Sequence, residues 1–141
     1  MDRKKKIIYS YKRHFSMEDT ICFYCGELGE SKDHVPPISY PDHYEETERF
    51  LVRSCLLCNS LLGNRPYYTF LSRCDYLLLK YRMRFERILS IPIWKDEEIN
   101  ELSGRLKRQV IIGVKKKKYI EKKLLYIENN IKILQGYNLE V

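Results

Sequence analysis

The clearest periodic pattern lies in residues 67–89, where apolar side chains recur at steps of three and four. This spacing places them on one broad face at about 100° per residue, so it predicts an amphipathic helix whose apolar face belongs to the core. The apolar positions are Tyr67, Phe70, Leu71, Cys74, Leu77, Leu78, Tyr81, Phe85, Ile88 and Leu89. A neighbouring stripe is basic and predicted to be exposed, and it consists of Arg73, Lys80, Arg84 and Arg87.

A second periodic pattern follows residue 115. Its apolar positions alternate steps of four and three, as in a coiled-coil seam, and they are Ile120, Leu124, Ile127, Ile131 and Leu134. Because such a seam has to be buried, we expect it to pack against the 67–89 helix or, alternatively, against a second copy of the chain. Monomer and homodimer therefore both stay open.

Weaker patterns precede these helices. The apolar run at residues 50–52 suits the second strand of a hairpin, and a helix is expected to begin at Asn59. Residues 7–20 suit a short strand or helix, and the acids at residues 96–98 suit the start of another helix. The chain is thus expected to mix strands with helices.

Two Cys-x-x-Cys pairs flank the predicted hairpin, and they are Cys22 with Cys25 and Cys55 with Cys58. Each pair can turn tightly enough to point both sulfurs at a single ion, so the spacing predicts a zinc site with four thiolate ligands. Four cysteine ligands leave no coordination position for water. This zinc should therefore hold the chain together and catalyse nothing.

The cysteine pairs are accompanied by further motifs, which are DHVPP at residues 33–37, CNS at residues 58–60 and GNR at residues 63–65. Together these motifs resemble the HNH nuclease family, which has a ββα-metal fold, and the likeness covers roughly residues 21–66. The resemblance implies a metal-dependent endonuclease acting on DNA, with RNA not excluded. It implies Asp33 and Asn59 as ligands of a catalytic Mg²⁺ or Mn²⁺ ion and His34 as the general base.

Elementary chemistry agrees with these roles. A phosphodiester is electron rich, so a site that cleaves it needs a cation and a base. Asp33 and Asn59 offer oxygen ligands suited to Mg²⁺ or Mn²⁺, and a neutral His34 can take a proton from water. If residues 33 and 34 lie in a strand, however, their side chains point to opposite faces, and joint action requires a twist or bulge.

The chain departs from the family pattern at two positions. Phe50 stands where the family usually has a middle Asn or His, and Leu62 stands where many members have Lys. These departures favour a second hypothesis, a non-catalytic zinc module that binds nucleic acid or a protein partner and keeps Asp33, His34 and Asn59 only as scaffold. Retention of all three chemical groups favours the endonuclease.

Charge is distributed unevenly along the chain, which carries a net charge of +7. Residues 14–60 are acidic, whereas residues 1–13 and 61–141 are basic, so the flanking segments are expected to attract phosphates. The predicted nucleic-acid contacts are the tail at residues 3–6 together with Arg65, Arg73, Lys80, Arg84 and Arg87. The alternative is a solvated charge run without a partner.

These observations predict an α+β fold, with a small ββα-metal zinc module and a helical C-terminal extension. The expected segments are 1–20, a basic N-terminal segment; 21–66, the zinc module; and 67–141, the helical extension. No apolar run approaches the roughly 18 residues that would span a membrane, and no adequate signal core follows the basic start. We therefore expect a soluble cytoplasmic protein.

Overall fold

A computed structural model of the protein describes residues 11–38, 48–63, 65, 67 and 69–138. These residues form an α+β fold, as predicted, in which a three-stranded sheet packs against helices. The strands are β1 (Lys12–Arg13), β2 (Ser31–Val35) and β3 (Phe50–Ser54). Their order is β1-β3-β2, with β1 parallel and β2 antiparallel to the central β3. The predicted hairpin strand at residues 50–52 is confirmed.

The helices follow the sequence patterns closely. They are a 3-10 helix (Phe15–Glu18), α1 (Leu56–Leu62), α2 (Phe70–Arg84), α3 (Glu86–Leu89), α4 (Asp96–Asn100) and α5 (Gly104–Asn138). The helix predicted from Asn59 begins earlier, because the Cys55 side chain caps it at Leu56. The helix predicted over residues 67–89 is divided, because Phe85 leaves helical geometry with φ −109° and ψ 24°.

The seam of α5 packs along α2 inside the same chain. Ile120, Leu124, Ile127 and Ile131 are buried in one cluster with the four cysteines and with Leu77 of α2. Burial of the seam within the chain, the preferred prediction, is therefore confirmed. Because the cysteine region and the helices share this core, the division at residues 20 and 66 stays a prediction, as does the oligomeric state.

The pairing of β2 with β3 determines which side chains share a face of the sheet. The register runs without interruption from Ser31 opposite Ser54 to Val35 opposite Phe50. Asp33 lies opposite Val52 and therefore points to the face that α2 covers, whereas His34 lies opposite Leu51 on the other face. Neither strand contains a bulge over this stretch.

Some sequence predictions lie outside the described residues, namely the basic tail at residues 3–6 and Asn64 of the GNR motif. Among the residues that are described, no helix combines the length and apolarity needed to cross a bilayer.

Candidate metal centre

Four cysteine sulfurs meet where the turn at residues 22–26, which we call the first knuckle, approaches the start of α1. They belong to Cys22, Cys25, Cys55 and Cys58. The four sulfur atoms all lie within 4.8 Å of one another, and all four side chains are buried. None of these cysteines forms a disulfide. The predicted convergence of the two pairs is therefore confirmed.

The turn after the first pair depends on glycine. Gly26 has a φ of +81°, and its N–H donates to the Cys22 carbonyl at 3.1 Å. A Cβ at this position would lie 2.7 Å from the ring of Tyr126 on α5, which packs against the turn. Both the left-handed backbone and the close approach of this ring exclude larger residues.

The second pair begins α1. The Sγ atom of Cys55 accepts the Cys58 N–H at 3.3 Å and so occupies the N-cap position of the helix. The same side chain that joins the sulfur cluster therefore also satisfies a backbone donor of the first helical turn.

This arrangement could bind a metal such as zinc. Four thiolates around one point provide the closed tetrahedral set that structural sites use, with no position left for water or substrate. Within the described part of the chain, no other group of three or more His, Cys, Asp and Glu side chains could hold a metal. The sulfur cluster is thus suited to a structural role.

One side chain from the helical half contacts a sulfur of the cluster, and a second lies over the ring of the first. The Tyr81 oxygen lies 3.0 Å from the Cys58 sulfur, and burial together with the negative charge of Cys58 raises the pKa of Tyr81, so its hydroxyl stays protonated and can donate. Lys123 is only 6% exposed, with its ammonium 5.4 Å from the centre of the Tyr81 ring. Lys123 was not among the residues predicted from the sequence, although its place three residues after Ile120, within the apolar stripe, could have marked it.

Asp33 belongs to a buried ionic cluster with Tyr24 and Arg73. Its Oδ2 atom accepts from Arg73 Nη2 at 2.5 Å and from the Tyr24 hydroxyl at 2.6 Å. Arg73 also donates from Nε to the Tyr24 oxygen at 3.0 Å and from Nη1 to the Tyr67 carbonyl at 2.6 Å. Arg73 and Asp33 are 1% and 5% exposed. The prediction that Arg73 lies on an exposed stripe and contacts phosphates is therefore wrong.

The other two motif residues lie on different faces of the sheet. Asn59 on α1 donates from Nδ2 to Ser31 Oγ at 3.4 Å, on the face that carries Asp33. His34 lies on the opposite face, half-buried, with its ring edge-to-face against Tyr11 at 4.8 Å between centroids. Burial lowers the pKa of His34, so its imidazole is neutral at neutral pH. The bulge that would bring Asp33 and His34 together is absent from β2.

This arrangement does not fit a hydrated Mg²⁺ or Mn²⁺ ion at Asp33 and Asn59. Such ions keep several waters, which a carboxylate that is 5% exposed cannot accommodate. Oδ2 of Asp33 is already engaged by a guanidinium, whose positive charge repels a second cation. In the described arrangement Asp33 stabilises the core through Arg73.

Four of the five predicted nucleic-acid contacts lie at least partly at the surface. Arg84 and Arg87 are exposed, while Arg65 and Lys80 lie over the ring of Tyr76, at 5.0 and 5.5 Å from its centre. Their contact with nucleic acid stays a prediction.

A longer basic surface lies on α5. The helix carries ten lysines and arginines against two glutamates. Arg108, Lys115, Lys118 and Lys122 are exposed, and their steps of seven, three and four place them on the side of α5 opposite its buried seam. We call these four residues the α5 basic ridge. The ridge was predicted only as part of the basic net charge of this half, although the spacing of its residues is visible in the sequence.

Comparisons of the chain with protein-family models, with curated proteins and with solved structures find no match. The resemblance to HNH nucleases therefore rests on the motif residues, and of the arrangement described above only the four-cysteine cluster is compatible with it.

Because Asp33 and Arg73 form a buried pair, the effects of replacing them on the free energy of unfolding should not be additive. Arg73→Met leaves a buried carboxylate without its counter-charge, so it should lower the free energy of unfolding by about 3–5 kcal/mol. Adding Asp33→Asn removes that charge, and the double variant should be clearly more stable than the sum of the two single losses implies. Chemical denaturation of the four proteins measures this.

The control is Arg82→Met on the same helix. Arg82 pairs with Glu128 at 2.7 Å at the surface, and its loss should cost less than about 1 kcal/mol. Equal losses for Arg73→Met and Arg82→Met, or additive losses in the double variant, would contradict the buried pair.

Proposed function

We propose that this protein binds nucleic acid, with a zinc-held module as scaffold and the α5 basic ridge as the surface that contacts phosphates. In this proposal the ion held by the four cysteines is zinc, because a closed tetrahedral set of thiolates suits it best.

The arrangement of charge on α5 carries the proposal. The ridge extends from Arg108 to Lys122, and the fourteen residue steps between its ends correspond to about 21 Å along the helix axis. Duplex DNA presents one phosphate charge per roughly 1.7 Å of its axis, so several phosphates lie within reach of such a ridge. None of the ion pairs among the described residues involves a ridge side chain, and the cations therefore remain open to an external partner.

Contacts of this kind determine affinity and position without selecting a sequence. Lysine and arginine on an exposed helix face meet phosphate oxygens, whereas sequence is read from base edges in the grooves. Binding should accordingly be strongly salt-dependent and nearly independent of sequence.

The test replaces three ridge lysines. Lys115→Gln/Lys118→Gln/Lys122→Gln should weaken binding to all DNA duplexes similarly and reduce the slope of log K against log salt by about 2–3, since each lost phosphate contact removes about 0.9. Fluorescence anisotropy with labelled duplex and single-stranded DNA and RNA over a salt series gives this slope.

The matched control removes the same charge from exposed positions elsewhere, as Lys12→Gln/Lys32→Gln/Lys95→Gln. This variant should keep a slope close to that of the wild type. Equal slopes for the two triple variants would mean that net charge alone, and not the ridge, sets binding. No binding by the wild type at low salt would refute the proposal.

A second candidate function is endonuclease activity. It is favoured by the order β2, β3 and α1 around the cysteine cluster, with Asp33 and His34 on β2 and Asn59 on α1. The neutral imidazole of His34 suits a general base. It ranks second because Asp33 is bound to Arg73, and because His34 points to the other face of the sheet.

His34→Ala tests this candidate, because His34 lies outside the buried ionic cluster and its loss should leave the fold intact. If His34 is the base, this variant should lose about 10²–10⁴-fold in plasmid nicking while binding DNA normally. The wild-type rate should then fall only below a pKa that is itself under 6.5, with a plateau from neutral pH upwards.

His14→Asn serves as control. His14 is likewise a half-buried histidine whose pKa is lowered by burial, and asparagine preserves its capping of the 3-10 helix. Nicking that the control retains and His34→Ala loses would establish the candidate. Wild-type protein that cleaves neither DNA nor RNA with Mg²⁺ or Mn²⁺, or full activity in His34→Ala, would eliminate it.

A further inference from the structure

Helix α5 docks directly on the cysteine-bearing region. Tyr126 covers Gly26 of the first knuckle, and Asn130 donates from Nδ2 to the carbonyls of Phe23 at 2.9 Å and Tyr24 at 3.1 Å. Lys123 lies on the same side of the helix, three residues before Tyr126. These contacts join segments of the chain that are about one hundred residues apart in sequence. The buried Lys123 lies over the ring of Tyr81, the residue whose hydroxyl contacts the Cys58 sulfur.

Lys123 has an environment that an ammonium group tolerates only with a counter-charge. It is 6% exposed, and burying an unpaired charge is costly. No carboxylate among the described residues lies within ion-pair distance of it. Its ammonium lies over the rings of Tyr81 and Tyr119, at 5.4 and 5.2 Å from their centres. Glu27 and Lys123 both act on the Tyr119 hydroxyl, whose pKa is raised by burial and by Glu27.

Burial acts to lower the pKa of Lys123, but interaction with Cys25, Tyr119, Cys55 and Cys58 raises it, so the cysteine cluster favours the charged ammonium. The geometric link to the cluster is Tyr81, whose ring centre lies 5.4 Å from the Lys123 ammonium. A divalent ion with four thiolates carries a net charge of −2. This negative charge has to be balanced by hydrogen-bond donors or positive charges outside the four ligands. The Tyr81 hydroxyl, 3.0 Å from the Cys58 sulfur, supplies a hydrogen bond, and Lys123 supplies a full positive charge.

We infer that Lys123 is a positioning residue of the metal centre, whose charge holds the anionic metal–thiolate cluster and the docked helix α5 together. The inference rests on the proposed zinc ion. Because coupling between binding and docking is reciprocal, a docked α5 should tighten zinc binding and bound zinc should tighten the docking of residues 120–131. Groups that surround metal ligands typically change metal affinity by about 10–100-fold.

Zinc affinity of the full-length protein, measured by competition with a chelator of known affinity, provides the test. Lys123→Met keeps much of the apolar stem and removes the charge, so zinc affinity should fall about tenfold or more. Lys123→Arg retains the charge and should recover most of the affinity. Lys122→Met, which removes the neighbouring exposed lysine, should bind zinc as the wild type does.

Hydrogen exchange of α5 gives an independent readout. Stripping zinc from the wild type should reduce protection of residues 120–131, whereas zinc-loaded Lys122→Met should stay fully protected. If Lys123→Met does not fold, Lys123→Gln removes the same charge with a polar side chain.

Several outcomes separate this inference from the proposed zinc site. Wild-type protein that holds no zinc would refute the zinc site and the inference together. Tight zinc binding by the wild type, with an affinity of Lys123→Met or Lys123→Gln within twofold of Lys122→Met, would overturn the inference alone. Unchanged protection of residues 120–131 after zinc removal would also overturn it.

Discussion

The convergence of four cysteine sulfurs within 4.8 Å is the constraint on which the rest of this structure depends. It joins the turn at Gly26 to the start of α1, and the hairpin of β2 and β3 is closed between them. It also provides the surface on which the two long helices meet, through Tyr81 of α2 and Tyr126 of α5. Structural zinc sites contribute on the order of 10–16 kcal/mol, which matches or exceeds the entire stability of a typical domain. A metal at this point would therefore decide whether the chain folds.

The buried pair of Asp33 and Arg73 changes how the DHVPP motif is interpreted. The motif identifies the residue types that a nuclease needs, but the partner of a carboxylate determines its chemistry. Arg73 and Tyr24 hold Asp33 in the core. Breaking the buried pair costs about 3–5 kcal/mol, which is a large part of the free energy of unfolding of a typical domain. An Asp33 variant that lost nuclease activity would therefore not separate catalysis from folding. A His34 variant separates catalysis from folding, because His34 lies outside this cluster.

Local patterns predicted most of the fold. The three- and four-residue steps correctly indicated α2 and the seam of α5, and the Cys-x-x-Cys spacing correctly indicated the sulfur cluster. The failures involve contacts between distant segments. Arg73 occupies a position on α2 that the periodicity assigns to a basic stripe, yet it is buried by a partner 40 residues earlier in sequence. Local spacing gives the direction of a helix face, but the width of its buried part depends on what packs against it.

The same limit applies to the candidate sites. Residues 33 and 34 are adjacent in sequence, and only the uninterrupted register of β2 against β3 shows that they face opposite sides. Lys123 and the α5 basic ridge were both visible as charges in a basic segment. Their opposite environments, one buried over the ring of Tyr81 and the other exposed, follow from how α5 packs on α2 and on the first knuckle.

The free energy of unfolding measured at a series of buffered free Zn²⁺ concentrations tests the central constraint most directly. If the four cysteines bind zinc only in the folded chain, stability should rise by about 1.4 kcal/mol for each tenfold increase in free Zn²⁺ above the dissociation constant. Cys74→Ala, which changes the one cysteine outside the cluster, should keep this slope, and Cys55→Ser should lose it. Wild-type stability that does not depend on free Zn²⁺, or an unchanged slope in Cys55→Ser, would contradict the account.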